Sequence, residues 1–300
     1  MQLDFTAIAL GLSLDVGINT IGFIYSAIHR TEHYYDACGT GSFVAATVGT
    51  AIYRLVVGRG ALRLSQVLVA ASTTVQVDHS SGFSFSASNR SIIWAARLFK
   101  FLTARVKRLG RDSRFDKVKD KPVVFSGYWA VQALWVAVVC FPTLATIASS
   151  SDASSSATVK ETLLLATGFA LWIFGFAFEV IADNQKAQWQ NRLGSARAKA
   201  FIDTGLWARC RYPNYFGEIT LWFGSYLMAL SCFPNSTVAK YAFAVSPLFI
   251  TFILTNLSGI PIQEGQARKR FKGNSEYAHY VKTTPLLVPR LLSAKASKQS

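Results

Sequence analysis

The sequence predicts an all-α fold: a polytopic integral membrane bundle of seven or eight transmembrane helices, forming one membrane domain over residues 1–300. Three observations lead there. Several apolar runs reach the ~17–25 residues that a helix needs to cross the hydrocarbon core. Only 16% of the 300 residues are charged and 51% are hydrophobic, whereas an ordinary soluble domain carries about 25% charged residues. The formal net charge of +15 is concentrated in loops between the apolar runs, as expected for Lys and Arg retained on the cytoplasmic side. That placement accounts for the charge without nucleic acid as a partner.

Each element follows in order. The first run covers about 5–28 and carries Asp15 and Asn19, four apart and so on one helix face. An acid inside a spanning helix usually faces the bundle interior. This run lacks a basic leader and a small-residue cleavage site, so no removed signal peptide is expected. Residues 29–41 read as a polar loop, with Gly39 and Gly41 marking a turn. Two short candidates follow at 42–57 and 62–79, with Arg54, Arg59 and Arg63 between their centres; either both cross or only one does. Residues 80–91 are Ser-rich and loop-like, and 92–104 resumes helical periodicity, interrupted by Arg97 and Lys100.

The loop 105–121 holds eight basic and three acidic residues, which places it in the cytosol. The run 123–149 is long enough to cross and contains Gln132; the Ser-rich link 149–158 after it is nearly free of basic charge and belongs on the opposite side. The run 161–182 crosses back and brings Glu179, Asp183 and Lys186 onto one helical face. Runs at 216–233 and 238–257 form a hairpin through Pro234 and Asn235. The segment 258-SGIPIQE-264 breaks the last membrane helix. The tail from 264 carries eight basic residues and an amphipathic stretch around Glu264–Tyr280, with the C-terminus in the cytosol.

Four isolated cysteines without CxxC spacing and only four histidines support neither a zinc site nor a disulfide framework. The chemistry points instead to 207-WARCRYPNYFGEITLWFG-224. Tyr212 precedes Pro213 and is pushed toward extended backbone, while Pro213 suits the first helical position. Asn214 and Glu218 then lie one turn apart. The free N–H groups at that helix start, with Arg209 and Arg211 just before them, can hold a nucleotide phosphate. Glu179, Asp183 and Lys186 lie at the same cytosolic level, as do Glu264 and Arg268. The three pieces describe a crevice for a water-soluble cofactor and a lipid-soluble substrate, walled by apolar helices.

These residues resemble the membrane family related to the C-terminal domain of steroid 5-alpha-reductases (DUF1295). Its wider relatives include sterol double-bond reductases and isoprenylcysteine carboxyl methyltransferases. The strongest match is 210-CRYPNYFGE-218, where the family reads Ser-Arg-His-Pro-Asn-Tyr-Phe-Gly-Glu. Others are 178-FEVIADNQK-186, 258-SGIPIQE-264, 276-EYAHYVKTTPLLVPR-290, 111-RDSRF-115 and 125-FSGYWAVQALW-135, with a weaker one at 15-DVGINTIGF-23. By this resemblance 88–290 is a reductase-like core, 1–87 a set of poorly matched N-terminal helices and 291–300 a basic tail.

The resemblance implies NADPH as cofactor, contacted or organised by Asp183, Lys186, Arg211, Tyr212, Asn214, Tyr215 and Glu218. Arg114 would add a phosphate contact and Glu264 would organise the pocket. Tyr212 replaces the family's His, and Asn19 stands where the family has Trp. The implied reaction is reduction of a carbonyl-conjugated C=C bond in a steroid-like or other lipid. Its carbonyl-polarising donor would come from the N-terminal half, with Asp15, Tyr25 and Tyr53 as candidates. Transfer of a methyl group from S-adenosylmethionine to a lipid, or a non-catalytic membrane scaffold, are the alternative readings. The expected partners are membrane lipid and a hydrophobic small molecule, in the endoplasmic reticulum membrane; the sequence gives no oligomeric state.

Overall fold

A computed structural model of the chain describes residues 3–57, 62, 64–76, 115, 116, 118–150, 157–194 and 200–290. The regular elements among them are helical: α1 (Phe5–Ile28), α2 (Tyr35–Val56), α3 (Leu64–Gln76), α4 (Pro122–Ala148), α5 (Val159–Leu193), a 3-10 turn (Gly205–Ala208), α6 (Pro213–Ser231), α7 (Thr237–Phe252), a π-helical turn (Ile253–Leu257), α8 (Gly259–Arg270) and α9 (Ser275–Thr283). Among the described residues the only β pairing is an isolated bridge from Leu3 to Ser149.

Four stretches are long and apolar enough to cross a membrane: α1, α4, α5 and the path Thr237–Arg270. They mark the chain as a membrane protein. Helix α2 has 22 residues but buries a polar face of Ser42, Thr47, Thr50 and Arg54, which lowers its apolarity. Helix α3 has 13 residues, short of the ~20 that span a bilayer. The stretches 80–91 and 92–104, and most of the basic loop, lie outside the described residues.

One expectation is corrected. Residues 35–41 are not a loop: α2 begins at Tyr35, and Gly39 and Gly41 lie inside it. Gly39 is a packing glycine, since a Cβ there would sit 2.7 Å from the side-chain amide of Gln132 on α4. The stretch 264–280 is carried by two helices, α8 and α9. It is divided by a turn in which Gly273 takes φ +81° and Asn274 caps α9, accepting the Tyr277 N–H at 2.8 Å. The break around residue 258 is present as the π turn and a bend at Ser258.

The chain divides into two compact units. The first comprises residues 1–167 and 225–246. Here α1 and α4 are antiparallel: Asp4 caps α1 through its carboxylate, and its own N–H reaches Ala148 O at 3.0 Å. At the other end the Tyr35 hydroxyl donates to Tyr128 O at 2.9 Å, so α2 starts beside the start of α4. The end of α4 is capped by side chains. Buried Arg54 donates to Ile147 O and Ser149 O, and Gln66 donates to Thr146 O and Ser149 O at 2.9 and 3.1 Å. These donors satisfy carbonyls that every helix end leaves without intrahelical partners. An apolar cluster of Ala7, Ile8, Ala145, Leu230, Phe233 and Phe243 packs at this end, and one of Phe115, Phe125 and Trp129 at the opposite end.

The second unit comprises residues 168–224 and 247–300. Its α5 and α6 segments meet backbone to backbone through glycine. A Cβ on Gly175 would lie 2.5 Å from Leu221 N, one on Gly217 2.7 Å from Glu179 N, and one on Gly224 2.6 Å from Gly168 O. Small residues permit such approach between membrane helices, where packing rather than the hydrophobic effect drives association. The C-terminal stretch then straps the entry to α6. Arg211 N–H donates to Pro285 O, Tyr212 N–H to Leu286 O and Arg290 N–H to Arg209 O, at 2.9, 3.1 and 3.1 Å.

Candidate functional site

In the second unit, the C-terminal half of α5 presents Glu179, Asp183 and Lys186 at spacings of four and three, along one helix face. Helix α6 opens with Pro213, whose missing N–H costs nothing at a helix start. The glycine crossing lays Gly217 of α6 directly on Glu179. One turn earlier Asn214 hydrogen-bonds the Asp183 carboxylate. Lys186 sits next to Asp183, with its ammonium 5.0 Å above the ring of Trp207. Trp207 is fixed from both sides: its indole N–H donates to Ala182 O at 3.0 Å, and its carbonyl accepts from the Tyr280 hydroxyl at 2.7 Å.

Helix α8 closes the other flank. A single oxygen of Glu264 accepts from Arg211 Nη1 at 2.8 Å and from the Tyr212 hydroxyl at 2.7 Å. Tyr212 in turn stacks on Tyr215, ring centroids 5.7 Å apart and planes within 10°. The Tyr215 hydroxyl accepts from Gln263 Nε2 at 2.5 Å. Burial, then the hydrogen bond to Glu264, hold the Tyr212 phenol well above its ordinary pKa. It is therefore a neutral donor. Burial pushes the neighbouring Cys210 thiol up to about 12, so it stays protonated.

Two polar atoms in this cluster have no partner although buried: Arg211 Nε and Asn214 Oδ1. One is a charged N–H donor and the other an amide acceptor, and leaving such groups unpaired costs about 1–3 kcal/mol each. A phosphorylated polyol would satisfy both, the phosphate on Arg211 and a hydroxyl on Asn214. The donor set therefore fits a nucleotide. Beyond Glu264 a cleft of about 480 Å³ opens, lined by Glu264, Arg268, Phe271, Asn274, Tyr277 and Val281 among others. Among the described residues no His, Cys, Asp and Glu group could hold a metal ion.

Of the expected cofactor residues, Asp183, Lys186, Arg211, Tyr212, Asn214, Tyr215, Glu218 and Glu264 all belong to this unit. Hydrogen bonds, ring contacts and close charges link them. Arg114 lies outside the described residues. Asp15, Tyr25 and Tyr53 belong to the other unit and do not converge. Asp15 and Tyr25 are ten residues apart on α1, about 15 Å along its axis. Asp15 is fully buried, whereas Tyr25 is 46% exposed with its ring against His29 and Tyr34. Tyr53 packs against the apolar cluster at the end of α4. Trp207, Gln263 and Tyr280 were not singled out by sequence reasoning. Gln263 and Tyr280 fall within segments whose motifs resemble the family, and Trp207 opens the polar stretch 207–224; that was the available signal.

A family model described as "Protein of unknown function (DUF1295)" matches residues 22–284. The match begins well before residue 88, in the helices that the motifs alone matched poorly. No curated protein and no solved structure matches the chain.

Proposed function

The chain belongs to the DUF1295 family, and from that premise we propose that it is an NADPH-dependent membrane reductase of a carbonyl-conjugated C=C bond in a steroid-like or other lipid. The observation that carries this reading is the pair of unpartnered buried atoms, Arg211 Nε and Asn214 Oδ1, at the open start of α6. A cation, an amide oxygen and free backbone N–H groups together suit a nucleotide phosphate and its ribose. When bound, the cofactor supplies a hydride to an electron-poor carbon.

The chain's own residues have separate tasks in this reading. Arg211 and the α6 N-terminus hold phosphate. Glu264 aims Arg211, and Asp183 fixes the Asn214 amide so that its oxygen faces the ligand. Tyr212 and Tyr215 offer stacked aromatic faces. The carbonyl oxygen, where negative charge develops, calls for a neutral hydrogen-bond donor. The alpha carbon then takes a proton. The same reading gives seven or eight membrane crossings, a cytosolic C-terminus and residence in the endoplasmic reticulum.

The test is a titration of detergent-purified protein with NADPH, NADH and S-adenosylmethionine in parallel. Saturable NADPH binding is expected, weakened about tenfold or more by Asn214→Ala, the loss of one buried hydrogen bond of ~1.5–3 kcal/mol. Selective binding of S-adenosylmethionine would transfer the site to methyl transfer. Binding of none of the three by folded protein would overturn the nucleotide site and leave the scaffold reading.

A further inference from the structure

The turn between α8 and α9 builds a concave surface beside the proposed nucleotide site. Its cleft of about 480 Å³ falls within the ~300–1,000 Å³ usual for small-ligand sites. Two aromatic residues line it, Phe271 and Tyr277, with ring centroids 4.6 Å apart. Phe201 packs edge-on against both, at 5.7 and 5.2 Å, and so holds the pair in place. Ala278 and Val281 of α9 add apolar surface. The turn itself is set by Gly273, at φ +81°, and by the Asn274 cap on α9.

The lining of the cleft includes Arg268 and leaves out Lys269, Arg270 and Lys272. Arg268 makes no hydrogen bond and no ion pair with a described residue, and its charge acts on the Tyr277 phenol. It follows Glu264 by four residues, one turn along the same face of α8. Glu264 lines the cleft as well, and it holds Arg211 at 2.8 Å. Two guanidiniums therefore flank one carboxylate. That of Arg211 is clasped by it, and that of Arg268 has no such partner among the described residues. A ligand with one phosphate on Arg211 reaches this cleft with its next part. A purine stacks on aromatic rings whatever its hydrogen-bonding edge, and a guanidinium fork matches the oxygens of a phosphate. An aromatic base that carries a phosphate of its own answers both features. Retention of basic charge on the cytoplasmic side accounts for the exposed Lys269 and Lys272, but not for a cation in the wall of an aromatic cleft.

We propose that the cleft between α8 and α9 is the subsite for the adenosine end of the dinucleotide, and that Arg268 binds the additional ribose phosphate that distinguishes NADPH from NADH. The inference rests on the nucleotide reading and adds a specificity-determining residue to it. The experiment titrates the full chain in detergent with NADPH, NADH and adenosine 2′,5′-bisphosphate, for wild type, Arg268→Gln and Lys269→Gln. Both positions are exposed, so neither variant is expected to lower the melting temperature. Wild type is expected to bind NADPH more tightly than NADH and to bind the bisphosphate. Arg268→Gln is expected to weaken NADPH and the bisphosphate about tenfold or more, the scale of a lost charged hydrogen bond, and NADH far less, so that the preference disappears. Lys269→Gln removes the same charge outside the cleft and is expected to keep the preference. NADPH bound as tightly by Arg268→Gln as by wild type, or equal losses in the two variants, would overturn the subsite and leave the nucleotide site standing. Binding of neither dinucleotide by folded wild type would remove both.

Discussion

Tyr212 stands where the motif it resembles reads His. A phenol cannot become a cation, but here it is buried, stacked on Tyr215 and donates to Glu264. Its pKa is raised, chiefly by burial, so the folded state holds this proton more tightly than the unfolded state does. The stabilisation is complete below the ordinary tyrosine value of about 10 and is lost as pH rises from there toward the folded value. Melting curves should therefore fall steeply above about pH 10, and less steeply in Tyr212→Phe, which has no phenol to titrate. An unchanged alkaline slope in that variant would place the effect on Tyr277 or Tyr280, both also raised by burial. The single oxygen of Glu264 that serves both Arg211 and Tyr212 was not legible from spacing, since the partners lie 53 and 52 positions away. Asn214 and Glu218 were legible, because proline-opened helices carry their own local signal.

Among the helices, the contact of α5 with α6 has the largest consequence for the site. It depends on Gly168, Gly175, Gly217 and Gly224, each pair seven residues apart, and no small-residue face stood out in the sequence. Replacing Gly217 by Val puts side-chain carbons where a Cβ already meets Glu179 N and Gly175 O at 2.7 Å. Both are backbone atoms that cannot turn aside. The helices must separate, at a cost of about 1–3 kcal/mol or more, and Glu179 and Asp183 move away from Asn214. Lower thermal stability together with lost NADPH binding is expected. Stability lost with binding intact would show that the crossing does not position the site. Helix α2 teaches the complementary lesson. Gly39 and Gly41 read as a turn because glycine favours turns, yet Gly39 is needed for the approach of Gln132, a tertiary demand that local propensity does not contain.

For the whole molecule, the charge of +15 makes a prediction about sidedness. Within the first unit the loop 29–34 and the residues leading into α4 share one end, tied by the Glu32–Lys119 ion pair at 3.2 Å. The turn around Phe233 packs with Ala148 at the other. Lys119 and Lys121 belong to the sequence's most basic stretch, 105–121, so the rule that basic loops stay inside predicts this first end to be the cytosolic one. Over the native-cysteine background, His33→Cys should react with a membrane-impermeant maleimide added from the cytosolic side, and Asn235→Cys only from the opposite side. Reaction of both from one side would refute this topology. Membrane character and helical class were readable from the sequence alone, because crossing a bilayer requires apolar length and internally satisfied backbone. Both are properties of a continuous segment. So were the family and the residues at the start of α6, which lie together in one short motif. Only the tertiary structure decided that Glu264 clasps Arg211 and Tyr212, that α5 and α6 touch through glycine, and that Gln132 of α4 and Ser42 of α2 hold Asn19 beside Asp15. Each of these unites residues from different helices. Which faces meet is set by packing among helices that are all apolar, and an apolar face does not name its partner.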